Sequence, residues 1–228
     1  MIAINVKGLI KYMEADDAQK RGILADYKFP DIGKAPIRYY RDAHPAILQC
    51  LAGKISRGQM LARGEALTKE AIVATAARRA RLNHNARAII EFDEHFGDRA
   101  LRAEPSHRLY FAQGGVRVGV HPELWVYERD ERHILKLELG TQSLSERALA
   151  TLAQLVYHAA VQSGWEIDPR QAGIVQVATG EIHRGKRIGP RLEHRIVAAL
   201  ENIEAIWPSI TRPIRASKDR LAPPPTIM

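Results

Sequence analysis

Acidic and basic side chains whose types suit metal-dependent hydrolysis occur in the middle of the chain. Glu123 is followed by the pair Lys136 and Glu138, and Glu104 precedes them. Carboxylate oxygens bind Mg²⁺ and Mn²⁺, and such an ion polarises a phosphodiester and lowers the pKa of a bound water. A lysine beside the ion positions or activates that water. These residues therefore indicate a candidate site for phosphodiester hydrolysis.

The segment from residue 107 to residue 140 has the pattern of strands that would carry these side chains. Leucines alternate with other residues after position 133, which predicts a half-buried strand with Lys136 and Glu138 on the face opposite the leucines. The leucines predicted to be buried are Leu135, Leu137 and Leu139. A Gly-Gly turn joins the first two strand-like runs. We predict an antiparallel meander of three adjacent strands over residues 107–140.

A helix is predicted after the last of these strands. Ser143 with Glu146 three residues later forms a capping box, which is typical of a helix start. The apolar residues predicted to pack on the sheet are Leu152 and Leu155. Gln154 and Tyr157 are about one turn apart on the same helix. They fit a functional motif, and they equally fit the polar edge of an ordinary sheet-packing helix.

This order of features resembles the PD-(D/E)XK nuclease superfamily, in its RecB-like branch, over roughly residues 82–186. That family has an acid after a hairpin turn, an acid-x-Lys pair on the next strand, and a Gln-x-x-x-Tyr motif on the following helix. The resemblance implies an α/β fold with a restriction-endonuclease-like mixed sheet flanked by helices. It also implies a catalytic set and a set of ligands for magnesium or manganese. The implied catalytic residues are Lys136, Gln154 and Tyr157, and the implied metal ligands are Glu104, Glu123 and Glu138.

The chain departs from the family pattern at the residues that carry the chemistry. Lys136 and Glu138 have their charges in the reverse order, Glu123 stands where the family has Asp, and Gln154 is one residue too close to Tyr157. Residues 136 and 138 are about 6.6 Å apart along a strand, further than one extra methylene can reach. Three interpretations remain open. In an active enzyme the metal shifts along the strand or Glu104 supplies the missing carboxylate; otherwise catalysis is lost, or the pair consists of ordinary ion-pairing residues on a sheet.

An excess of positive charge favours a polyanionic partner. The 228 residues carry a net charge of +8, with a sequence pI of about 9.7. Two basic clusters are candidate nucleic-acid contacts, and both are equally compatible with a solvated surface. The candidate contacts are Arg78, Arg79, Arg81, Arg184 and Lys186. The resemblance favours DNA over RNA as the partner.

Other classes of protein are excluded or disfavoured by composition. With 46% hydrophobic and 26% charged residues, the chain is globular. Its single cysteine, Cys50, excludes an internal disulfide and a multi-thiol metal site. No run of 18 apolar residues occurs, so we expect no membrane association, and we expect a cytoplasmic location.

The remaining sequence divides into three predicted parts. Residues 1–62 are predicted to be a helical segment, residues 63–207 the nuclease-like domain, and residues 208–228 an extended basic, proline-rich tail. Within the domain, a break between two helices is predicted at the polar run Asn83-His84-Asn85. A further strand near residues 173–178 and a basic loop over residues 180–189 complete it.

Two functions from different classes follow from these expectations. The first is a nucleic-acid-directed protein, either a divergent metal-dependent nuclease or a catalytically silent DNA-binding relative that needs no metal. The second is a non-enzymatic scaffold that uses the same fold to bind a protein partner.

Overall fold

The structure, a computed structural model, describes residues 1–30, 39–140 and 144–212. These residues form eight strands and seven α-helices. The strands are β1 (Ile2–Asn5), β2 (Leu101–Ala103), β3 (Leu109–Gln113), β4 (Val116–Val120), β5 (Leu124–Glu128), β6 (Glu131–Glu138), β7 (Ala172–Gln176) and β8 (Glu181–Arg184). The helices are α1 (Val6–Glu14), α2 (Asp17–Lys28), α3 (Ala43–Leu51), α4 (Arg57–Ile72), α5 (Ala76–Phe96), α6 (Glu146–Gln162) and α7 (Pro190–Ile206).

The predicted α/β class with a mixed sheet is confirmed. The larger sheet has the strand order β2-β5-β6-β7-β8. β2, β5 and β6 are antiparallel neighbours, and β7 is parallel to β6. α6 makes the crossover between these two parallel strands, as a parallel pair requires. A second, three-stranded sheet has the order β1-β4-β3, with β1 parallel to β4.

The prediction of one three-stranded meander over residues 107–140 is wrong. This stretch forms two hairpins, β3-β4 and β5-β6, which belong to different sheets. The chain leaves the first sheet at His121 and Pro122 and enters the second at Leu124. Proline has no N–H to donate to a strand ladder, so an extended run through Pro122 cannot remain paired without a break. Glu123 is consequently the residue just before β5.

β6 is the central strand of the larger sheet, and it is buried on both faces. Leu135 and Leu137 lie in the apolar core beneath α3, α4 and α5, as predicted. Leu139 is only partly buried, because it lies beyond the end of the strand. Ile134 lies in the other core, formed with α6 and the smaller sheet. The prediction that β6 is half-buried is therefore wrong, and Lys136 and Glu138 are on a covered face.

The predicted helix after β6 is present as α6. α1, α6 and α7 are amphipathic, and α6 buries the predicted Leu152 and Leu155. α6 is capped by Ser145, which accepts a hydrogen bond from Ala148 N, whereas the predicted cap Ser143 lies outside the described residues. The predicted basic loop over residues 180–189 begins instead with β8.

The predicted helix break at residues 83–85 does not occur, since α5 continues through it. Asn85 is completely buried. Its Oδ1 accepts hydrogen bonds from Asp42 N and Ala43 N at the start of α3, and its Nδ2 donates to Tyr39 O and Arg81 O. A buried asparagine with these bonds stabilises the contact between two helices, which offsets its poor helix propensity.

The predicted N-terminal segment is part of the larger fold. β1 pairs with β4, and Leu9 and Tyr12 of α1 are buried in the core beside α6. The predicted boundary after residue 62 falls inside α4. Of the predicted tail, residues 208–212 are described, and the rest lies outside the described residues.

Candidate functional site

Glu123 and Lys136 form the centre of the candidate site. Adjacent strand pairing brings them together, since Leu124 pairs with Leu135 and the preceding residue Glu123 therefore lies opposite Lys136. The Lys136 Nζ atom lies 2.7 Å from Glu123 Oε1 and donates a second hydrogen bond, of 3.0 Å, to His121 O. Glu123 Oε2 accepts a 2.9 Å hydrogen bond from Leu137 N. This carboxylate is thus held by one ammonium and one backbone N–H.

Glu138 has a different cation as its partner. Lys7, in the first turn of α1, places its Nζ atom 2.6 Å from Glu138 Oε2. Glu138 Oε1 accepts a 3.2 Å hydrogen bond from Gly140 N. The Glu138 side chain is only 10% exposed, whereas that of Lys7 is 42% exposed, so the carboxylate is shielded from water and its counter-ion is not.

A cleft of about 830 Å³ opens beside these two ion pairs. It lies where the end of β6 meets α1, α3 and the chain between β4 and β5. Its charged and imidazole lining residues are Lys7, Arg41, His44, His107, Arg108, His121, Glu123 and Glu138. Three lysine or arginine side chains thus face two carboxylates, and Lys136 lies directly behind Glu123. Both carboxylates are in ion pairs, so Arg41 and Arg108 dominate the charge that the cleft offers to a ligand.

His121 adds no positive charge to this cleft near neutral pH. Burial lowers the pKa of its imidazole, and the nearby cations Arg108 and Lys136 lower it further. Arg108 forms no ion pair within the described ranges, and Arg41 lies 3.7 Å from its sequence neighbour Asp42. Both arginines are exposed, so they are accessible to an anion.

Glu104 is not brought to the other two glutamates. It follows β2, and its Oε1 lies 2.8 Å from Arg132 Nε, at the opposite end of β6. The Arg132 guanidinium also stacks on Trp165 and donates to the Tyr127 hydroxyl. Glu104 therefore contributes to a structural cluster and does not line the cleft.

Gln154 and Tyr157 also lie away from the cleft. Tyr157 packs against the core, and its Cβ lies beside Gly185 in the loop after β8. Gln154 is half-buried on the same helix. Neither residue lines the cleft, so their predicted catalytic role with Lys136 has no geometric support in this arrangement.

Two of the predicted nucleic-acid contacts on α5, Arg78 and Arg79, have structural partners, whereas the buried Arg81 Nε has no hydrogen-bond partner among the described residues. Arg78 forms an ion pair with Glu70 of α4. Arg79 donates to the carbonyl oxygens of Ala71, Ile72 and Ala74 at the end of that helix. These bonds satisfy carbonyl groups that a helix end leaves unpaired. The role of this cluster in nucleic-acid binding stays a prediction, and the structure gives Arg78 and Arg79 a function within the α4-α5 hairpin.

Arg184 and Lys186 line a separate cavity of about 1070 Å³ near the start of β6. The cleft is at the other end of that strand. The predicted cluster of Arg184 and Lys186 therefore does not form one continuous surface with the predicted acid-lysine site.

The glutamates do not fit a three-ligand metal centre as they are arranged here. Across residues 1–30, 39–140 and 144–212, no group of three or more His, Cys, Asp or Glu side chains is placed to hold a metal ion. Magnesium takes oxygen ligands at about 2.0 to 2.1 Å, but the oxygens of Glu123 and Glu138 already bind ammonium groups. The predicted magnesium or manganese site stays a prediction without geometric support.

Sequence reasoning missed Lys7 and Arg108, and it favoured a structural role for Arg41 over nucleic-acid contact. Lys7 reaches the site only because β1 pairs with β4, a contact between distant segments that carries no local signal. Arg41 belongs to a run of tyrosines and arginines whose type suits stacking and phosphate contact, which was a usable signal. Arg108 lies just before β3, and nothing in its sequence context distinguishes it.

No protein-family model matches the chain, and no curated protein is significantly similar to it. Among the described helices, none is both long and apolar enough to cross a membrane.

Proposed function

We propose that this protein binds nucleic acid, DNA in preference to RNA, and that it is a catalytically silent relative of PD-(D/E)XK nucleases. Several features support the family assignment. An acid follows a turn, a charged pair lies on the next strand, and a helix then crosses to a parallel strand. The acid, the charged pair and the following helix occur in the same order in the PD-(D/E)XK motifs.

The observation that carries the proposal is the ion pair between Lys136 and Glu123. A nuclease of this kind needs carboxylates that are free to bind a divalent cation, with a lysine beside the attacked phosphate. Here the lysine neutralises one carboxylate directly, and Lys7 neutralises the other. Metal binding would require both ammonium groups to be displaced, that of Lys136 from a largely buried position. The lysines therefore act as internal counter-ions in place of a metal.

The cleft is suited to phosphate groups because its carboxylates are neutralised. With Glu123 and Glu138 in ion pairs, the charges left for a ligand are those of Arg41 and Arg108. Guanidinium groups bind phosphate through planar, paired N–H donors. Each phosphate contact releases counterions, so binding should weaken steeply as salt increases.

The test is the salt dependence of DNA binding, measured by fluorescence anisotropy of a labelled duplex between 50 and 200 mM salt. Replacing Arg41 and Arg108 together with glutamine should lower the slope of log affinity against log salt by about 1.8, or about 0.9 per lost contact. The matched control is the double variant Lys54→Gln and Lys69→Gln. It removes the same charge from exposed positions outside the cleft and should leave the slope nearly unchanged.

Parallel arms test the other parts of the proposal. Single-stranded DNA and RNA of the same sequence should bind more weakly than the duplex DNA, and no strand should be cleaved in magnesium or manganese. If the unaltered protein cleaves DNA, and if both Glu123→Gln and Glu138→Gln abolish that cleavage, the proposal that the protein is catalytically silent fails. If duplex DNA, single-stranded DNA and RNA all fail to bind in a salt-sensitive way, the nucleic-acid proposal fails, and a scaffold for a protein partner becomes the better account.

A further inference from the structure

The cavity of about 1070 Å³ at the start of β6 has an unusual excess of positive charge. It is an open site lined by β6, the end of β8 with its following loop, and a short 3₁₀ turn at Pro169–Gln171. Its charged and imidazole lining residues are Glu131, His133, Asp168, Arg170, Arg184, Lys186 and Arg187. None of the four lysine and arginine side chains in this set forms a salt bridge within the described parts of the chain.

The two carboxylates of the cavity do not neutralise these cations. Asp168 caps the 3₁₀ turn, where its Oδ1 accepts a 2.8 Å hydrogen bond from Arg170 N. Glu131 is a largely exposed side chain whose Oε2 lies 4.0 Å from His133 Nε2. The cavity therefore offers four cationic groups against two carboxylates that are engaged or solvated.

Arg184 is the anchor of this site because its charge is half-buried and has only neutral acceptors. Its Nη1 lies 3.0 Å from Arg170 O and 3.1 Å from His133 Nδ1. The nearby Glu128 is held by two hydrogen bonds from Arg99, of 2.7 and 2.5 Å. Burial lowers the pKa of Arg184, and the charge of Arg99 lowers it further. The Nε and Nη2 groups of Arg184 remain as donors without a partner in the described residues.

His133 presents a donor to the same cavity. Arginine can only donate, so the Nδ1 atom that faces Arg184 must accept, and the proton of the neutral ring is on Nε2. Burial and the adjacent Arg184 lower the pKa of His133, which keeps the imidazole neutral near pH 7. A neutral histidine in this tautomer supplies an N–H without adding repulsion to the guanidinium beside it.

The loop that carries Lys186 and Arg187 is held against the body of the protein. Gly185 is buried, and its N–H donates a 2.7 Å hydrogen bond to Ala172 O. A Cβ at this position would lie 2.7 Å from Pro169 O and 3.1 Å from the Cβ of Tyr157. Only glycine permits this close approach, so the two cations extend from a fixed base.

We propose that this cavity binds a phosphate monoester, with Arg184 contacting the phosphate oxygens and Arg170, Lys186 and Arg187 surrounding them. A monoester carries a charge of about −1.5 to −2 near pH 7, whereas each backbone phosphodiester carries only one negative charge. A concave site with clustered, unpaired cations suits the compact dianion. The ligand is a mononucleotide or the phosphorylated end of a nucleic-acid strand, which share this group. The inference does not depend on DNA binding in the cleft, which is at the other end of β6.

The experiment compares ligands that differ only in the terminal phosphate. Adenosine 5′-monophosphate is compared with adenosine by calorimetry, and a short single strand with a 5′-phosphate is compared with the same strand bearing a 5′-hydroxyl by anisotropy. At least one phosphorylated ligand should bind tenfold or more tightly than its hydroxyl counterpart, and inorganic phosphate should compete. If adenosine 5′-monophosphate binds more tightly than adenosine, a free mononucleotide is a sufficient ligand. If only the strand with a 5′-phosphate binds more tightly than its hydroxyl counterpart, the ligand is the phosphorylated strand end.

Two variants and one control test the assigned residues. Arg184→Gln should abolish the preference for phosphate, and Arg187→Gln, at an exposed position that cannot affect folding strongly, should reduce it about threefold or more. Lys54→Gln removes the same charge elsewhere and should leave the preference intact. Equal affinity for the phosphorylated and hydroxyl ligands in the unaltered protein overturns the proposal. So does a phosphate preference that persists in both Arg184→Gln and Arg187→Gln.

Discussion

Replacing Lys136 with methionine tests whether the internal ion pair holds the centre of the site together. The Lys136 side chain is 10% exposed and that of Glu123 is 23% exposed. Removal of the ammonium leaves the Glu123 carboxylate with the Leu137 N–H as its remaining protein donor. Breaking a buried pair costs about 3 to 5 kcal/mol, and partial access of water to Glu123 reduces this to about 2 to 4 kcal/mol.

A second variant separates the uncompensated charge from the loss of packing. In the double variant Lys136→Met and Glu123→Gln, a neutral amide oxygen can still accept the hydrogen bond from Leu137 N. The double variant should therefore be at least about 1 kcal/mol more stable than Lys136→Met alone, since residues in one network are not additive. The matched single variant Glu123→Gln completes the cycle.

Urea denaturation followed by tryptophan fluorescence measures these changes. Trp125 is buried in the core, so its emission should report global unfolding. With a slope of about 3 kcal/mol per molar urea, a loss of 3 kcal/mol lowers the midpoint by about 1 M. A loss below about 1 kcal/mol for Lys136→Met, or equal losses for it and the double variant, would refute the assignment of Lys136 as the counter-ion of Glu123.

Two further predictions concern the packing of the core and the pH dependence of the free energy of unfolding. Leu137→Ala should lower the free energy of unfolding by about 2 to 5 kcal/mol, because the side chain is 5% exposed; a urea midpoint close to that of the unaltered protein would contradict this. Burial against Phe111 lowers the pKa of His158, so the unfolded chain binds that proton more readily. The free energy of unfolding should therefore fall as the pH decreases below about 6.5, and His158→Phe should lose less stability than the unaltered protein between pH 7.5 and 5.5. Equal losses of stability in the variant and in the unaltered protein would show that His158 does not contribute to the pH dependence.

Periodicity predicted the elements whose stability comes from one apolar face. The leucines of β6 and the apolar stripe of α6 were placed correctly because each pattern reflects burial against a neighbouring layer. The second buried face of β6 was missed because Lys136 and Glu138 look like solvent-facing residues. Their burial depends on counter-ions from other segments, which no local pattern reports.

Polar residues account for most of the remaining differences. The polar run at Asn85 predicts a helix break, but the Asn85 side chain forms hydrogen bonds with a helix start that is distant in the sequence. Pro122 lies within the predicted meander of residues 107–140, but it has no N–H to donate, and the chain changes from one sheet to the other there. The pairing of Glu123 with Lys136 follows from the register of a hairpin, so it can be predicted from the sequence. The contribution of Lys7 cannot be predicted in this way, since it requires the parallel pairing of β1 with β4.

That parallel pairing also determines when the cleft can form during synthesis. β1 has no partner until β4 has been made, and Lys7 has no counter-ion until the chain has reached Glu138. Contacts between distant segments are late steps, because closing a long loop costs entropy before the contact contributes. A nascent chain that has not yet reached residue 138 therefore lacks the assembled cleft. The proposed anion-binding surface becomes available only once both sheets have joined, so the proposed ligand binding depends on completion of the fold.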